Sequence, residues 1–417
     1  MNKKYRWGTM IPLIGGSAVG CSAATGDTPL FHFSLDGFQK NDIGIVNYWK
    51  GIEYHNLDQE SFVMQPDVYE NIDFVNSVCP CAALCRLNTT KGEKSGSNGI
   101  QNRWMYISAE IILGNRFEEY RPKVYWGENA PALAGEKGQP VVDKLIEIGK
   151  KYGYTFSLYK TSTIFHGLPQ KRDRCFYFFW KGDKTPIINF YDRERLTFVD
   201  FLEGIDKNLP NMNDFCLKEK PTDFVPLRFL MEKFNLSYKE IAPRFTPKHV
   251  ESTMGIIFKE HLEDELVEWM EKYHKTDIMN AKSGRTYYDY VLQCVAKNKA
   301  GGGMFTMGPR FCLDYSPAVI SKTCYSLAHP TENRYISYRE YMKLMGMPDD
   351  FMPYNEDGKL VPIDYIGQNV PVNAARDMCT EVLRFIDNDP TLEYVENDGS
   401  FKYIFQNNLN KTITKVK

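Results

Sequence analysis

Over residues 1 to about 190, short unbroken apolar runs alternate with stretches whose apolar positions recur at three- and four-residue spacing. Ile72-Asp-Phe-Val-Asn-Ser-Val78 is a run of the first kind, β-branched and aromatic. It predicts a core strand, and Pro80 must end it because proline cannot continue a hydrogen-bonded ladder. Leu30-Phe-His-Phe-Ser-Leu35 and Lys123-Val-Tyr-Trp-Gly127 predict two further strands, and a polar, cationic turn leads into an aromatic one, Cys175-Phe-Tyr-Phe-Phe-Trp180. Val141-Val-Asp-Lys-Leu-Ile-Glu-Ile-Gly-Lys150 is of the second kind and predicts an amphipathic helix. Met10-Ile-Pro-Leu-Ile-Gly-Gly-Ser-Ala-Val-Gly20 predicts a strand, a glycine turn and a helix from Ser22, a turn that lets a nucleotide-like ligand approach the backbone. Such alternation predicts an α/β fold with a parallel sheet and ligands at the carboxyl ends of its strands.

The pattern changes along the chain. Leu87 to Ile100 is rich in glycine and polar residues and predicts a mobile loop. From about 190 to 330 the alternation stops, which predicts a second domain at 191–330 after a first at 1–190, with 331–417 returning to the first. Within the middle region, Leu236 to Val250 carries a helix-turn-helix rhythm that a packed helical hairpin explains equally well, and Lys299 to Arg310 is a glycine-rich connection. Leu392 to Phe405 predicts a β-hairpin turning at Asn397-Asp-Gly-Ser400.

Composition adds little until charge is considered. The 417 residues are 43% hydrophobic and 25% charged, ordinary for a globular enzyme of two or three domains. A net charge of -2 excludes a protein that coats nucleic acid, so any such contact needs a local basic face, for which Lys160, Lys171, Arg172, Arg174, Lys181 and Lys184 are candidates. Ten irregularly spaced cysteines, no leader pattern and no apolar run near 18 residues predict a reducing cytoplasmic or nucleoid setting without a membrane span. Cys79, Cys81 and Cys85 lack a second Cys or His pair at zinc spacing, so no metal site is expected.

The candidate chemistry sits at the ends of the predicted strands. Pro80-Cys81 delivers a thiol on a turn, Glu128-Asn129 ends a strand on an acid and an amide, and Gln170-Lys-Arg-Asp-Arg174 opens the aromatic strand with two guanidinium groups. With Arg334 to Asp349 and Ile366-Gly-Gln-Asn-Val-Pro-Val372, these segments fall in the motif order of the cytosine-C5 DNA methyltransferases, bacterial or phage type, which most of the chain resembles. The resemblance implies a Rossmann-like S-adenosylmethionine-dependent methyltransferase fold with a smaller inserted target-recognition domain. It also implies a double-stranded DNA substrate whose cytosine is flipped out of the helix, and an enzyme that acts as a monomer. It assigns Cys81 as the nucleophile toward carbon 6 of cytosine, Glu128 as the acid at N3 and Arg174 as the group at O2, with Arg172 bracing the Cys81 loop. Asn129, Gln170 and Arg103 would support the substrate and its loop.

For the donor, the resemblance implies Ile11, Gly15, Gly16, Ser34, Leu35, Asp58, Pro80 and Gln368. Four positions in these segments depart from the family pattern. Ile11 stands where an aromatic is usual, Leu13 where the first glycine is usual, Ser34 where a glutamate for the ribose hydroxyls is usual, and Gln368 where an asparagine is usual. Asp36 or a neighbour is the expected substitute acid. S-adenosylmethionine is the expected donor, with carboxy-S-adenosylmethionine as an alternative that these departures permit. A transfer-RNA cytosine methyltransferase and a DNA-binding pseudoenzyme are the competing readings of the whole chain.

Overall fold

A computed structural model describes residues 4–35, 37–57, 70–80, 84, 96–99, 102–115, 117–215, 217–246, 250–302, 308–320, 326–395, 402–408 and 410–416. The chain forms two compact units, Met1–Arg195 with Leu344–Lys417, and Leu196–Lys343. The first is built on nine strands: β1 (Trp7–Met10), β2 (Phe31–Leu35), β3 (Glu53–Leu57), β4 (Phe74–Ser77), β5 (Val124–Asn129), β6 (Tyr154–Ser162), β7 (Asp173–Lys181), β8 (Lys402–Gln406) and β9 (Thr412–Val416). Their spatial order is β9-β8-β6-β7-β5-β4-β1-β2-β3. The helices are α1 (Gly16–Thr25), α2 (Gln39–Tyr48), α3 (Arg103–Leu113), α4 (Gln139–Lys151), α5 (Phe198–Glu203), α6 (Val225–Phe234), α7 (Tyr238–Phe245), α8 (Thr253–Lys259), α9 (Glu263–Tyr273), α10 (Tyr287–Lys299), α11 (Tyr338–Leu344), α12 (Ile363–Gln368) and α13 (Val372–Ile386).

Strands β3, β2, β1, β4 and β5 run parallel, while β7 enters antiparallel between β5 and β6. Every residue of β1, β4 and β5 is buried, as expected of parallel strands covered on both faces. The aromatic run of β7 fills one layer: Trp126 stacks on Phe178 with ring centres 5.9 Å apart, and Phe178 on Trp180 at 5.1 Å. Helix α4 buries Val141, Val142, Leu145 and Ile148, the face its spacing predicts.

Two local expectations need correction. Helix α1 begins at Gly16, six residues before Ser22, because Gly15 turns the chain at φ 100° and the Asn369 side chain accepts the Gly16 N–H at 2.7 Å. The described arms of the expected 392–405 hairpin take other partners, and its turn at 397–400 lies outside the described residues. Tyr394–Val395 pairs with Thr185–Pro186, and β8 instead joins the sheet edge parallel to β6, burying Tyr403 and Phe405, with β9 as its antiparallel partner. Alternating apolar residues need an apolar surface, and the edge of β6 offers one that an isolated hairpin does not.

The second unit is helical at its centre. Leu227 and Leu230 of α6, Ile241 of α7, Met254 and Ile257 of α8, Leu266 and Met270 of α9 and Val291 of α10 share one core. The rhythm at 236–250 thus belongs in part to a packed helix, α7, since residues 247–249 lie outside the described residues, as do 303–307 of the glycine-rich connection and most of the 87–100 loop.

Helix α13 is fixed to the sheet by charge as well as packing. Buried Asp377 accepts His166 Nδ1–H at 2.9 Å and two Arg193 N–H groups at 2.9 and 2.8 Å, while Thr161 Oγ1 meets His166 Nε2 at 2.8 Å. Burial holds the His166 imidazole below its usual value of 6.5, more strongly than Asp377 raises it. Burial works to raise Asp377, but hydrogen bonds from His166 and Arg193 outweigh it and keep the carboxyl ionised. Below pH about 6.5 the unfolded chain takes up a proton that folded His166 refuses, so stability present above that pH is lost as pH falls. Buried His32 and His329, each lowered to about 4, act in the same direction. Between pH 7 and pH 5 the thermal midpoint of His166→Gln should therefore fall less, or rise more, than that of the unaltered chain, in which buried Asp42, raised to about 7, acts in the opposite direction to the histidines; an unchanged slope in the variant would contradict this assignment.

Candidate active site

The site follows from strand register. Met10 of β1 pairs with Ser77 of β4, and Ser77 with Gly127 of β5, so the loops after all three strands leave the sheet at one edge. At β1 the strand order reverses, the place where open α/β sheets bind ligands. Because β7 is antiparallel to β5, with Glu128 opposite Phe176 and Asn129 opposite Cys175, Arg174 at its start arrives at the same edge.

On the β4 side the chain reaches Pro80, half-buried; Cys81 lies outside the described residues. Cys79 is a different kind of thiol. It is buried among Ser77, Ser108 and Tyr177, and burial pushes its pKa up, so it is a packed thiol rather than a nucleophile. Asn129 spans the two strands: its Nδ2 donates to the Cys79 carbonyl at 3.5 Å, and its Oδ1 accepts the Ala130 N–H at 2.9 Å. It thereby ties the end of β5 to the residue just before Pro80.

Glu128 is 3% exposed and ion-paired with Arg174 Nε. Burial raises the Glu128 pKa, and the guanidinium groups of Arg174 and then Arg172 pull it back only in part. The result is a carboxyl whose proton is held more tightly than usual in a site where a guanidinium is also at hand. Gly127, just before Glu128, lets Tyr177 and the β4 backbone approach closely, since a Cβ there would lie 2.4 Å from the Tyr177 hydroxyl and 2.5 Å from the Ser77 carbonyl.

Arg172 acts on Glu128 electrostatically while its hydrogen bonds reach the C-terminal segment. Arg172, 1% exposed, donates to the carbonyls of Gly367 and Asn369 at 3.1 and 2.8 Å, bracing the C-terminal segment; any contact to residues 81–83 falls outside the described residues. Gln170 Nε2 donates to the Leu344 carbonyl at 2.8 Å. Arg103 opens α3 and is exposed.

At the donor corner, Ile11 and Leu35 are fully buried, Gly15 and Gly16 form the turn into α1, and Asp36 and Asp58 lie outside the described residues. Ile11 and Leu13 hold left-handed backbones at φ 53° and 52°, a conformation that costs a side-chain-bearing residue about 1–2 kcal/mol. Gln368 is exposed and accepts from Asn41 Nδ2 at 3.0 Å. The amide that reaches the glycine turn belongs to the next residue, Asn369, whose Oδ1 takes the Gly16 N–H. The sequence motif contains Asn369, yet its pattern assigns the place to the neighbour. Asp42 carries no sequence signal at all: it is buried on α2, and its Oδ2 accepts from Ser34 Oγ and, at 3.1 Å, from Tyr54 Oη.

A Rossmann-like sheet with a glycine turn at its switch point and a buried acid beside a guanidinium suits a group-transfer enzyme with a nucleoside-bearing donor, and the relatives decide the class. The family model for C-5 cytosine-specific DNA methylases matches residues 47–384, and the protein belongs to that family. The chain is 22% identical over 346 residues to the Type II methyltransferase M.PspPI of Psychrobacter sp. strain TA137, covering 79% of this chain and 70% of that protein. Two solved structures share its fold at a TM-score of 0.54. One is a prophage-encoded protein assigned as a DNA modification methyltransferase (E. coli), 13% identical over 92% of this chain and 99% of the other. The second is the methyltransferase EhMeth of Entamoeba histolytica, 12% identical over 93% of this chain and 99% of the other. The protein is thus a DNA cytosine-C5 methyltransferase, its substrate is DNA, and the methyl donor its family implies is S-adenosylmethionine. No helix among the described residues is long and apolar enough to cross a membrane.

The donor corner fits that cofactor. Ser17 Oγ, in the first turn of α1, is buried with no hydrogen-bond partner among the described residues, beside helix N–H groups that have no intrahelical acceptor. Such a set suits a ligand bearing a carboxylate.

Two outcomes follow. Asn369→Ala leaves the buried Gly16 N–H unpaired and should cost about 1–3 kcal/mol in denaturant unfolding; a loss within error would mean the bond carries nothing. Arg174→Ala removes the cation that favours charged Glu128, so the Glu128 carboxyl should titrate at higher pH in carbon-detected NMR, whereas a lower value would reverse the electrostatic reading.

Proposed function

We propose that the chain methylates a cytosine flipped out of double-stranded DNA, through a covalent bond between Cys81 Sγ and carbon 6 of the base. The observation that carries this is the shared edge of β4, β5 and β7, where the Pro80 turn, Glu128 and Arg174 meet. S-adenosylmethionine, when bound, supplies an electrophilic methyl group. Carbon 5 of cytosine is a poor nucleophile until the ring is made electron-rich, and the Cys81 thiolate does this by adding its electron pair to carbon 6. That pair moves the ring's electrons toward carbon 5 and N3, where Glu128, its pKa raised by burial, holds a proton against N3. Arg174 then faces O2 of the same ring and limits the charge that Glu128 must meet. When carbon 5 has been methylated and its proton has left to a base, the carbon 6–sulfur bond breaks, Cys81 recovers its electron pair, and the ring is aromatic again.

Asn129 positions the Cys81 turn through the Cys79 carbonyl, and Arg172 holds the 366–369 segment against the donor corner. Ser34, Gly15, Gly16 and Asn369 hold the donor. The unit Leu196–Lys343 carries the choice of DNA sequence, and the enzyme acts as a monomer on its site.

Mass spectrometry of nucleosides from DNA of cells expressing the chain should show 5-methylcytosine that disappears in Cys81→Ala. Glu128→Gln should lower turnover by about 10²- to 10⁴-fold while leaving donor affinity in place. 5-Methylcytosine persisting in Cys81→Ala would overturn the covalent route, and a heavier cytosine adduct would assign carboxy-S-adenosylmethionine as donor.

A further inference from the structure

Asp42 is a buried carboxyl that the methyl-transfer steps do not use. It sits inside α2, fully buried, in a helix whose polar residues are otherwise half-buried or exposed. Its Oδ2 gathers the hydroxyls of Ser34, on β2, and Tyr54, on β3, while the backbone N–H of Leu13, after β1, is the third group that favours its charged form. Its Oδ1 is buried with no complete hydrogen bond. A carboxyl placed this way is costly: burial raises it to about 7 in spite of the three donors, so it must be retained for what it holds.

What it holds is strained. Leu13, at φ 52°, occupies a left-handed position that glycine adopts freely and leucine does not. Sparsely populated backbone conformations persist only where surrounding contacts fix them. Ser34 lies at the carboxyl end of β2, the strand end from which doubly wound folds commonly reach a ribose with an acid. Here that position carries only a hydroxyl, and the carboxyl behind it comes from α2.

We propose that Asp42 is the positioning residue of the donor loop: delivered from α2, it ties Ser34, Tyr54 and the Leu13 backbone together, so that the loop keeps its left-handed turn without a glycine. The proposal rests on reading this corner as the S-adenosylmethionine site. Through Ser34 and the Leu13 turn, Asp42 governs how well the donor binds, and touches neither DNA nor the reacting base.

The test is a double-mutant cycle on the full chain, with S-adenosylmethionine titrated by calorimetry and unfolding followed in denaturant. Asp42→Ala should weaken donor binding by about tenfold or more, and Asp42→Asn, which keeps the shape and an acceptor oxygen, by less. On a Leu13→Gly background, where the turn no longer needs holding, the same Asp42→Ala change should cost about threefold or less. Affinity for DNA without donor should stay at the wild-type value in all variants. Equal losses on the wild-type and Leu13→Gly backgrounds, or no loss at all, would overturn the proposal. If the unaltered chain binds no S-adenosylmethionine, the donor reading fails instead, and the unfolding cycle still decides: coupling between positions 13 and 42 supports the tie, and additivity rejects it.

Discussion

The parallel pairing of β1 with β4 is the constraint on which the rest of the molecule depends. Met10 opposite Ser77 sets the donor turn beside the Pro80 turn, and Ser77 opposite Gly127 sets Glu128 beside both. A side-chain period of two makes this unforgiving, because a slip of one residue would send Glu128 to the opposite face of the sheet. The fully buried strands β1, β4 and β5, packed between helices on both faces, hold that register by volume alone.

On this frame, burial does the electrostatic tuning. Glu128 and Asp42 are both acids pushed upward by desolvation, but their partners differ in kind. Glu128 faces guanidinium groups, which offset part of that push. Asp42 faces neutral donors, which fix geometry more than charge. Cys79 is pushed the same way: enclosed by Ser77, Ser108 and Tyr177, it is held protonated.

The strands and their chemistry were legible because both are local. Ile72–Val78 reads as a core strand from its own residues, and Pro80, Glu128 and Arg174 mark the ends of their strands from their own neighbours. What was not legible depends on contacts far apart in sequence. Asn369 caps a turn 353 residues away, and no local pattern separates it from Gln368, its exposed neighbour. Asp42 looks like one more solvated polar residue in a weakly amphipathic helix, and only the packing of Ser34 and Tyr54 against it shows otherwise. The C-terminal strand β8 reads as half of a hairpin because its alternation is the same whether its partner is an adjacent turn or the edge of β6. Helix α1 starts early for a related reason, since its first N–H is satisfied from the far end of the chain.

The central claim is that the edge shared by β4, β5 and β7 is a covalent cytosine site with Cys81 as its nucleophile. Intact-protein mass spectrometry after incubation with S-adenosylmethionine and a duplex bearing 5-fluorocytosine in the target sequence tests it most directly. Fluorine cannot leave carbon 5 as a proton does, so the carbon 6–sulfur bond cannot be released. The account predicts a stable protein–DNA adduct that maps to Cys81 and is absent in Cys81→Ala. An adduct mapping to another residue, or turnover of ordinary cytosine with no adduct on the fluorinated duplex, would contradict it.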